Sequence, residues 1–106
     1  MRKSFTLLAA AAIAAGTAGA AQADLVVPNL SYRTGPFAAG GIPYADGFQD
    51  YFTLLNERDG GIGGEKVQTP ECETAYNTEK GVECYEATKG MGALMYNPLS
   101  TGITYQ

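Results

Sequence analysis

The 106-residue sequence contains no histidine and no tryptophan, and it has only two cysteines. Histidine is the side chain that most often serves as a general base near neutral pH and as a metal ligand. Two cysteines alone cannot supply the four ligands of a structural zinc site. A nucleophile–histidine–acid set is therefore excluded, whereas a serine activated by a lysine stays open. We predict no metal site and no cofactor.

Basic residues are also scarce, with seven Lys and Arg against eleven Asp and Glu. This acidic balance argues against nucleic-acid binding, which needs a basic surface. The glycine-rich stretch Gly60–Lys66 has no Ser or Thr after its lysine, and it follows a helical pattern, so it does not match a nucleotide-binding P-loop. We interpret that stretch as a turn.

The N-terminus carries the three parts of a secretory signal peptide in the right order. Arg2 and Lys3 are followed by an uncharged run over residues 5–15, and then by small residues ending in an Ala-Gln-Ala site at Ala23. The run is shorter than the roughly 20 apolar residues of a membrane span. We predict a signal peptide over residues 1–23 and a mature chain that begins at Asp24. Loss of the two basic residues gives that chain a net charge of −6.

The mature sequence alternates strand-like and helix-like segments. The predicted strands cover residues 25–32, 65–69 and 93–96, and the predicted helices cover residues 43–58 and 78–89, with a third beginning at Ile103. A β-α-β-α-β order implies an α/β fold with an open parallel sheet and helices on its faces. Pro28 is unfavourable in a central strand, and residues 33–41 and 70–75 are expected to be loops.

Apolar spacing assigns an inward face to each helix. In the first helix this face is formed by Tyr44, Phe48, Tyr51, Phe52 and Leu55. Gly47 lowers helix propensity, and we attribute its presence to close packing against a strand. In the second helix we expect Val82, Tyr85 and Thr88 to point inward, with Asn77 or Thr78 as the N-terminal cap.

The loops that follow the first and third strands are the best-placed candidates for a binding site. Ligands of open α/β sheets bind beyond the carboxyl ends of the strands. Ser100 and Thr101 could donate hydrogen bonds to a carboxylate there, and Tyr32 or Phe37 could form an apolar wall. The alternative is that Ser100 and Thr101 only cap the last helix.

Cys72 and Cys84 lie twelve positions apart, one in a predicted loop and the other in the helix that folds back along the strand. In an exported protein an even pair of cysteines favours a disulfide. Closing such a loop stabilises a protein by about 3 kcal/mol in the chain-entropy model. Free buried thiols are the alternative.

Four motifs together resemble a known family. They are Thr34-Gly35-Pro36, Ala45–Phe48, the helix-end pattern of residues 56–64, and Pro98–Gly102. The sequence is similar to the N-terminal part of type I periplasmic solute-binding proteins of ABC transporters, in particular the branched-chain amino acid (leucine-binding protein-like) and amide-binding group.

The resemblance implies two α/β lobes that close on a small ligand, which is then delivered to a membrane permease. Residues 24–106 would be a truncated N-terminal part of the solute-binding lobe, located in the periplasm and not an enzyme. In this family, the position of Ser100 and Thr101 holds the ligand's α-carboxylate, and the loop carrying Phe37 supplies a wall residue. Two alternatives stay open: a ligand-sensing receptor module of the same fold, and an exported hydrolase using Ser100.

Overall fold

The computed structural model describes residues 23–106, so the predicted signal peptide lies outside the described part of the chain except for Ala23. The fold is α/β with short parallel strands, as the alternating pattern predicts. The strands are β1 (Leu25–Val26), β2 (Asn29–Ser31), β3 (Val67–Gln68) and β4 (Glu71–Glu73). The helices are α1 (Ala38–Arg58), α2 (Thr78–Thr88), a 3-10 turn at Lys89–Met91 and α3 (Thr101–Thr104).

The chain segment that contains β1 and β2, here called the first segment, lies in the middle of the sheet. β1 pairs in parallel with β3, and β2 pairs in parallel with β4. On the other side, residues 93–97 approach the first segment through two parallel bridges, Val26 to Ala93 and Asn29 to Asn97. The predicted third strand is therefore present as two isolated contacts and not as a continuous ladder.

Two prolines divide what would otherwise be two longer strands. Pro28 separates β1 from β2, and Pro70 separates β3 from β4, because proline has no N–H to donate to a ladder. Their carbonyls still accept hydrogen bonds: that of Pro70 from Asn29 N–H at 2.9 Å, and that of Pro28 from Asn97 N–H at 3.3 Å. The predicted loop over residues 70–75 is consequently wrong at its start, where β4 continues the second strand.

α1 begins at Ala38, five residues before the predicted start at Pro43. The early start depends on Gly41, since a Cβ atom there would lie 1.9 Å from the backbone oxygen of Tyr32. Gly47, to which we assigned close packing, has no atom beyond its own stretch of helix within 4 Å of its would-be Cβ. The tight contact between helix and strand therefore lies six residues earlier than predicted.

The inward face of α1 is also rotated from the predicted one. Gly41 and Ala45 are its buried residues, while Tyr44 and Tyr51 are 44% and 57% exposed. A polar contact also joins α1 to the sheet near the end of the helix. The Asn56 side chain donates to the Val67 carbonyl at 2.7 Å and accepts from Val67 N–H at 2.8 Å. Small and amide side chains let α1 lie close to the sheet, so the rings of Tyr44 and Tyr51 point outward. The other residues of the predicted face are half-buried, namely Phe48, Phe52 and Leu55.

α2 begins as predicted, with the Asn77 side chain accepting a hydrogen bond from Lys80 N–H at 3.0 Å. Its buried residues are Gly81, Cys84 and Thr88, whereas Val82 and Tyr85 are exposed, contrary to their predicted inward positions. The reason is the contact with α3: a Cβ atom at position 81 would lie 2.6 Å from the Ile103 side chain, so the buried face of α2 runs through Gly81.

The core under α2 is formed by Leu30, Cys84 and Ile103, with Cys72 and Tyr96 packed against it. Within residues 23–106, none of the helices has the length and apolar character needed to cross a membrane.

Candidate functional site

Three loops meet at the carboxyl edge of the parallel strands. Residues 32–37 follow β2, residues 74–77 follow β4, and residues 98–100 follow the bridged segment 93–97. All four residues predicted to bind ligand lie at this edge or in the first turn of α3. The topology therefore places the candidate site where parallel α/β sheets bind their ligands.

An aromatic cluster lies between the first two loops. Tyr76 contacts Tyr32 edge-to-face with ring centroids 5.0 Å apart, and it contacts Phe37 at 4.5 Å. The two predicted aromatic residues are thus brought together, and the residue that joins them is Tyr76. We define Tyr32, Phe37 and Tyr76 as the aromatic cluster.

Tyr76 also borders an open cleft of about 440 Å³. The cleft is lined by Tyr76, Asn97, Pro98, Leu99, Ser100, Thr101, Thr104 and Tyr105. Ser100 and Thr101 therefore line it directly, whereas Tyr32 and Phe37 support it through Tyr76. Its lining contains hydroxyl, amide, aliphatic and aromatic groups but no charged side chain.

A second groove, of about 410 Å³, lies between α2 and α3 and includes Val82, Tyr85 and Tyr96. None of the four predicted ligand-binding residues lines it. For that reason the cleft at the strand edge is the candidate site.

Ser100 caps α3, because its Oγ accepts a hydrogen bond from Ile103 N–H at 3.4 Å, and its residue is only 8% exposed. The capping alternative is thus present for Ser100, although the cap uses the oxygen as an acceptor and leaves the hydroxyl proton for another partner. Thr101 is exposed and does not cap the helix. The two hydroxyls at the cleft are consequently not equivalent.

The backbone around the cleft adopts conformations that are unusual for residues other than glycine. Ala75, Tyr76 and Leu99 have φ values of 51°, 59° and 51°. Each such residue costs about 1 kcal/mol or more, and such strain persists only where the surroundings fix it. All three residues lie in the loops that meet at the carboxyl edge.

Thr74 fixes the strained pair Ala75–Tyr76 from within the fold. This fully buried residue donates from its N–H and its hydroxyl to the carbonyl of Ser31, at 2.7 and 2.9 Å. Its hydroxyl oxygen accepts from Tyr76 N–H at 3.2 Å. The position of Tyr76 is therefore tied to the end of β2.

Glu73 fixes the same loop from the solvent side. Its carboxylate accepts hydrogen bonds from the N–H groups of Arg33 and Ala75, both at 2.7 Å, and from the Thr34 hydroxyl at 3.0 Å. Partial burial raises the pKa of Glu73, but these donors outweigh it and hold the pKa below its usual value. Glu73 thereby joins the first loop to the second.

Arg33 forms ion pairs with acidic side chains beside the aromatic cluster. Its guanidinium bonds Glu71 through two nitrogens, at 2.6 and 3.2 Å, and Asp46 at 2.7 Å. The hydrogen bond from Arg33 lowers the pKa of Glu71 despite partial desolvation. This cation is therefore neutralised by its neighbours and is not directed into the cleft.

The structure explains why glycine stands in the middle of the Thr34-Gly35-Pro36 motif. Gly35 has a φ of +83°, and a Cβ there would lie 2.9 Å from the carbonyl oxygen of Ala75. Any larger residue would push the first loop away from the loop that carries Tyr76.

Cys72 and Cys84 form a disulfide, which confirms the predicted bond. The bond links β4 to α2, and its two cysteines lie on either side of the loop of residues 74–77. Within the described residues, 23–106, there is no cluster of three or more acidic, Cys or His side chains that could hold a metal ion.

Tyr76 is the site residue that sequence reasoning missed. The sequence signal for Tyr76 is an aromatic residue directly before the Asn77 cap of α2, in the loop that follows a strand of an α/β pattern. The predicted loop ends at Ala75, so the sequence pattern alone does not connect Tyr76 with Tyr32 and Phe37.

A sequence model described as periplasmic binding protein matches residues 24–95 of the chain. Among solved structures, the chain is 37% identical to one described as the crystal structure of an ABC transporter permease from the Pseudomonas fluorescens group, with a TM-score of 0.70. The match covers 76% of this chain and 20% of that one, so the chain spans about a fifth of that structure's length. No curated protein gives a significant match.

Proposed function

This chain belongs to the periplasmic binding protein family, and we propose that it is part of the substrate-binding component of an ABC transporter. The family binds solutes, is periplasmic and is generally non-enzymatic. In the proposal, the solute is a small amino acid of the branched-chain type or an amide. It is captured in a cleft between two lobes and delivered to a membrane permease.

The observation that carries the proposal is the meeting of three loops around one uncharged cleft. Ser100 and Thr101 line the cleft on one side, and the aromatic cluster borders it through Tyr76 on another. Hydroxyl donors suit a carboxylate or amide oxygen, and an apolar wall suits an aliphatic side chain.

The four predicted residues take different roles in this proposal. Thr101, exposed at the cleft, donates to the polar end of the solute, and Ser100 donates while it caps α3. Tyr32 and Phe37 hold the wall in place by packing on Tyr76. A second lobe would cover the solute, and binding would shift the protein towards the closed state.

Transport is favoured over a sensing role by the similar solved structure, whose description names an ABC transporter. Residues 1–23 would direct export, with cleavage after Ala23, and residues 24–106 would form the N-terminal part of the binding lobe.

The proposal is tested by thermal stabilisation of the protein in the presence of branched-chain amino acids, small amides and urea. A solute at a hundred times its Kd adds about 2.7 kcal/mol to the free energy of unfolding, which raises the Tm by several degrees. Mass spectrometry after the titration should recover the solute unchanged. Absence of any shift across the panel contradicts the proposal.

Thr101→Ala is the variant that tests solute binding without removing a helix cap. Ser100→Ala would also remove the cap of α3, which costs about 1 kcal/mol. Thr53→Ala, on the exposed side of α1, is the matched control. We expect Thr101→Ala to reduce the stabilisation by solute and Thr53→Ala to leave it unchanged. Equal behaviour of the two variants would remove Thr101 from the site.

A further inference from the structure

We propose that Tyr76 selects solutes carrying an aromatic ring, by packing its own ring against that ring. This inference rests on the proposed function, and it changes the expected preference from an aliphatic to an aromatic group on the amino acid or amide. Tyr76 lies in the loop between β4 and α2, and none of the predicted site residues lies in that loop.

The ring of Tyr76 is held in place before any solute arrives. Tyr32 contacts it edge-to-face at 5.0 Å and Phe37 contacts it at 4.5 Å, yet Tyr76 keeps 38% of its surface exposed. Tyr32 is itself packed on α1, where a Cβ at Gly41 would lie 2.4 Å from its ring. A ring that is already fixed loses little conformational entropy when it binds.

The backbone supports the same conclusion. Tyr76 follows Ala75 in the left-handed region, with φ values of 59° and 51°, where glycine or asparagine would be less strained. Glu73 and the buried Thr74 hold these two residues with hydrogen bonds to Ala75 N–H and Tyr76 N–H. Strain that the surroundings maintain at an exposed ring indicates a function for that ring.

The chemistry of the cleft sets the kind of solute. Tyr76 and Tyr105 supply rings, while Asn97, Ser100 and Thr101 supply polar groups, and no charged side chain lines the cleft. A planar apolar group can pack on Tyr76 while a polar end meets the amide and the hydroxyls. Offset or edge-to-face contacts between rings favour such a solute over an aliphatic one of similar size.

The test compares two matched pairs of probes on the full chain: phenylalanine with leucine, and benzamide with isobutyramide. We expect the wild type to bind the aromatic member of at least one pair about fivefold more tightly. Tyr76→Leu should remove that preference and leave the affinity for the aliphatic member within about twofold, whereas Tyr76→Phe should keep the preference. Tyr51→Leu, a change of an exposed tyrosine on α1, is the control and should alter neither affinity.

The outcomes separate the two proposals. If the wild type binds aliphatic probes without a preference for aromatic ones, the inference is wrong and the proposed function stands. The inference also fails if Tyr76→Leu weakens both members of a pair equally. If no probe binds the wild type, the proposed function fails and the inference fails with it. Should Tyr76→Leu not fold, the wild-type preference decides, and a ratio below about twofold overturns the inference.

Discussion

Two glycines of α1 are expected to respond in opposite ways to the same change. Gly41→Ala places a Cβ atom 1.9 Å from the backbone oxygen of Tyr32, while Gly47→Ala places one in open space. Both glycines are in the same helix, so the gain in helix propensity is shared and only the packing differs. The pair therefore isolates the contact that sets α1 on the sheet.

The magnitudes follow from the geometry. Gly47→Ala should raise the free energy of unfolding by about 0.5–1 kcal/mol, because alanine restricts the unfolded chain and is the better helix former. In Gly41→Ala the new atom must move by more than 1 Å to reach an ordinary contact of at least 3.4 Å. The obstructing atom belongs to the backbone, so we expect the full overpacking cost and a net loss of about 2 kcal/mol.

Urea denaturation followed by circular dichroism measures both variants. We expect the midpoint to fall for Gly41→Ala and to rise for Gly47→Ala with unchanged m-values, and the two Tm values to differ by about 10 °C or more. Stabilisation in both variants would show that α1 does not contact Tyr32 as described. Destabilisation in both would instead favour the original prediction of close packing at Gly47.

Three further predictions concern the disulfide, the loops and export. Reduction of the Cys72–Cys84 bond should lower the free energy of unfolding by about 3 kcal/mol in urea titrations with and without reductant; a loss near zero would contradict it. The pKa of Glu73 lies below its usual 4.5 in the fold, so its stabilisation is present above that pH and is lost as the pH falls through the lowered value. Glu73→Gln should therefore be less stable than the wild type at about pH 6, and the difference should shrink in acid titrations as the pH falls through the lowered pKa of Glu73; a constant difference would argue against this linkage. N-terminal sequencing of the exported protein should begin at Asp24, and a chain that retains Met1 would refute the predicted cleavage.

The sequence was sufficient wherever the signal is local. Asn77 caps α2 because an asparagine side chain can accept from an N–H three residues later, whatever lies around it. Gly60 ends α1 with a φ of +73°, a conformation that glycine adopts without strain. The parallel α/β arrangement follows from the alternation of such segments, and the disulfide follows from two cysteines on adjacent elements.

Features that depend on distant contacts were not predictable in the same way. Helical spacing marks Tyr44 and Tyr51 as inward, but a close approach between Gly41 and Tyr32 turns those rings outward. In α2, likewise, the contact with Ile103 selects Gly81 over Val82 as the buried position. A small residue that permits close packing leaves no apolar signal in the sequence.

The candidate site shows the same difference between features with a local signal and features that depend on distant contacts. Ser100 and Thr101 are predicted from their position after a strand in an α/β pattern, and both residues line a cleft in the structure. Tyr76 was missed because its role depends on rings that lie 44 and 39 positions earlier in the chain, at Tyr32 and Phe37. Only the folded arrangement shows that one ring joins the aromatic cluster to the hydroxyl groups.

Amide hydrogen exchange with and without a bound solute tests most directly whether solute is held at the carboxyl edge of the strands. We predict that a solute which stabilises the protein slows exchange in residues 73–77 and 98–101, and leaves exchange in residues 82–86 of the groove beside α2 unchanged. Protection confined to residues 82–86, or no protection in either segment, would contradict a binding site formed by Tyr76, Ser100 and Thr101.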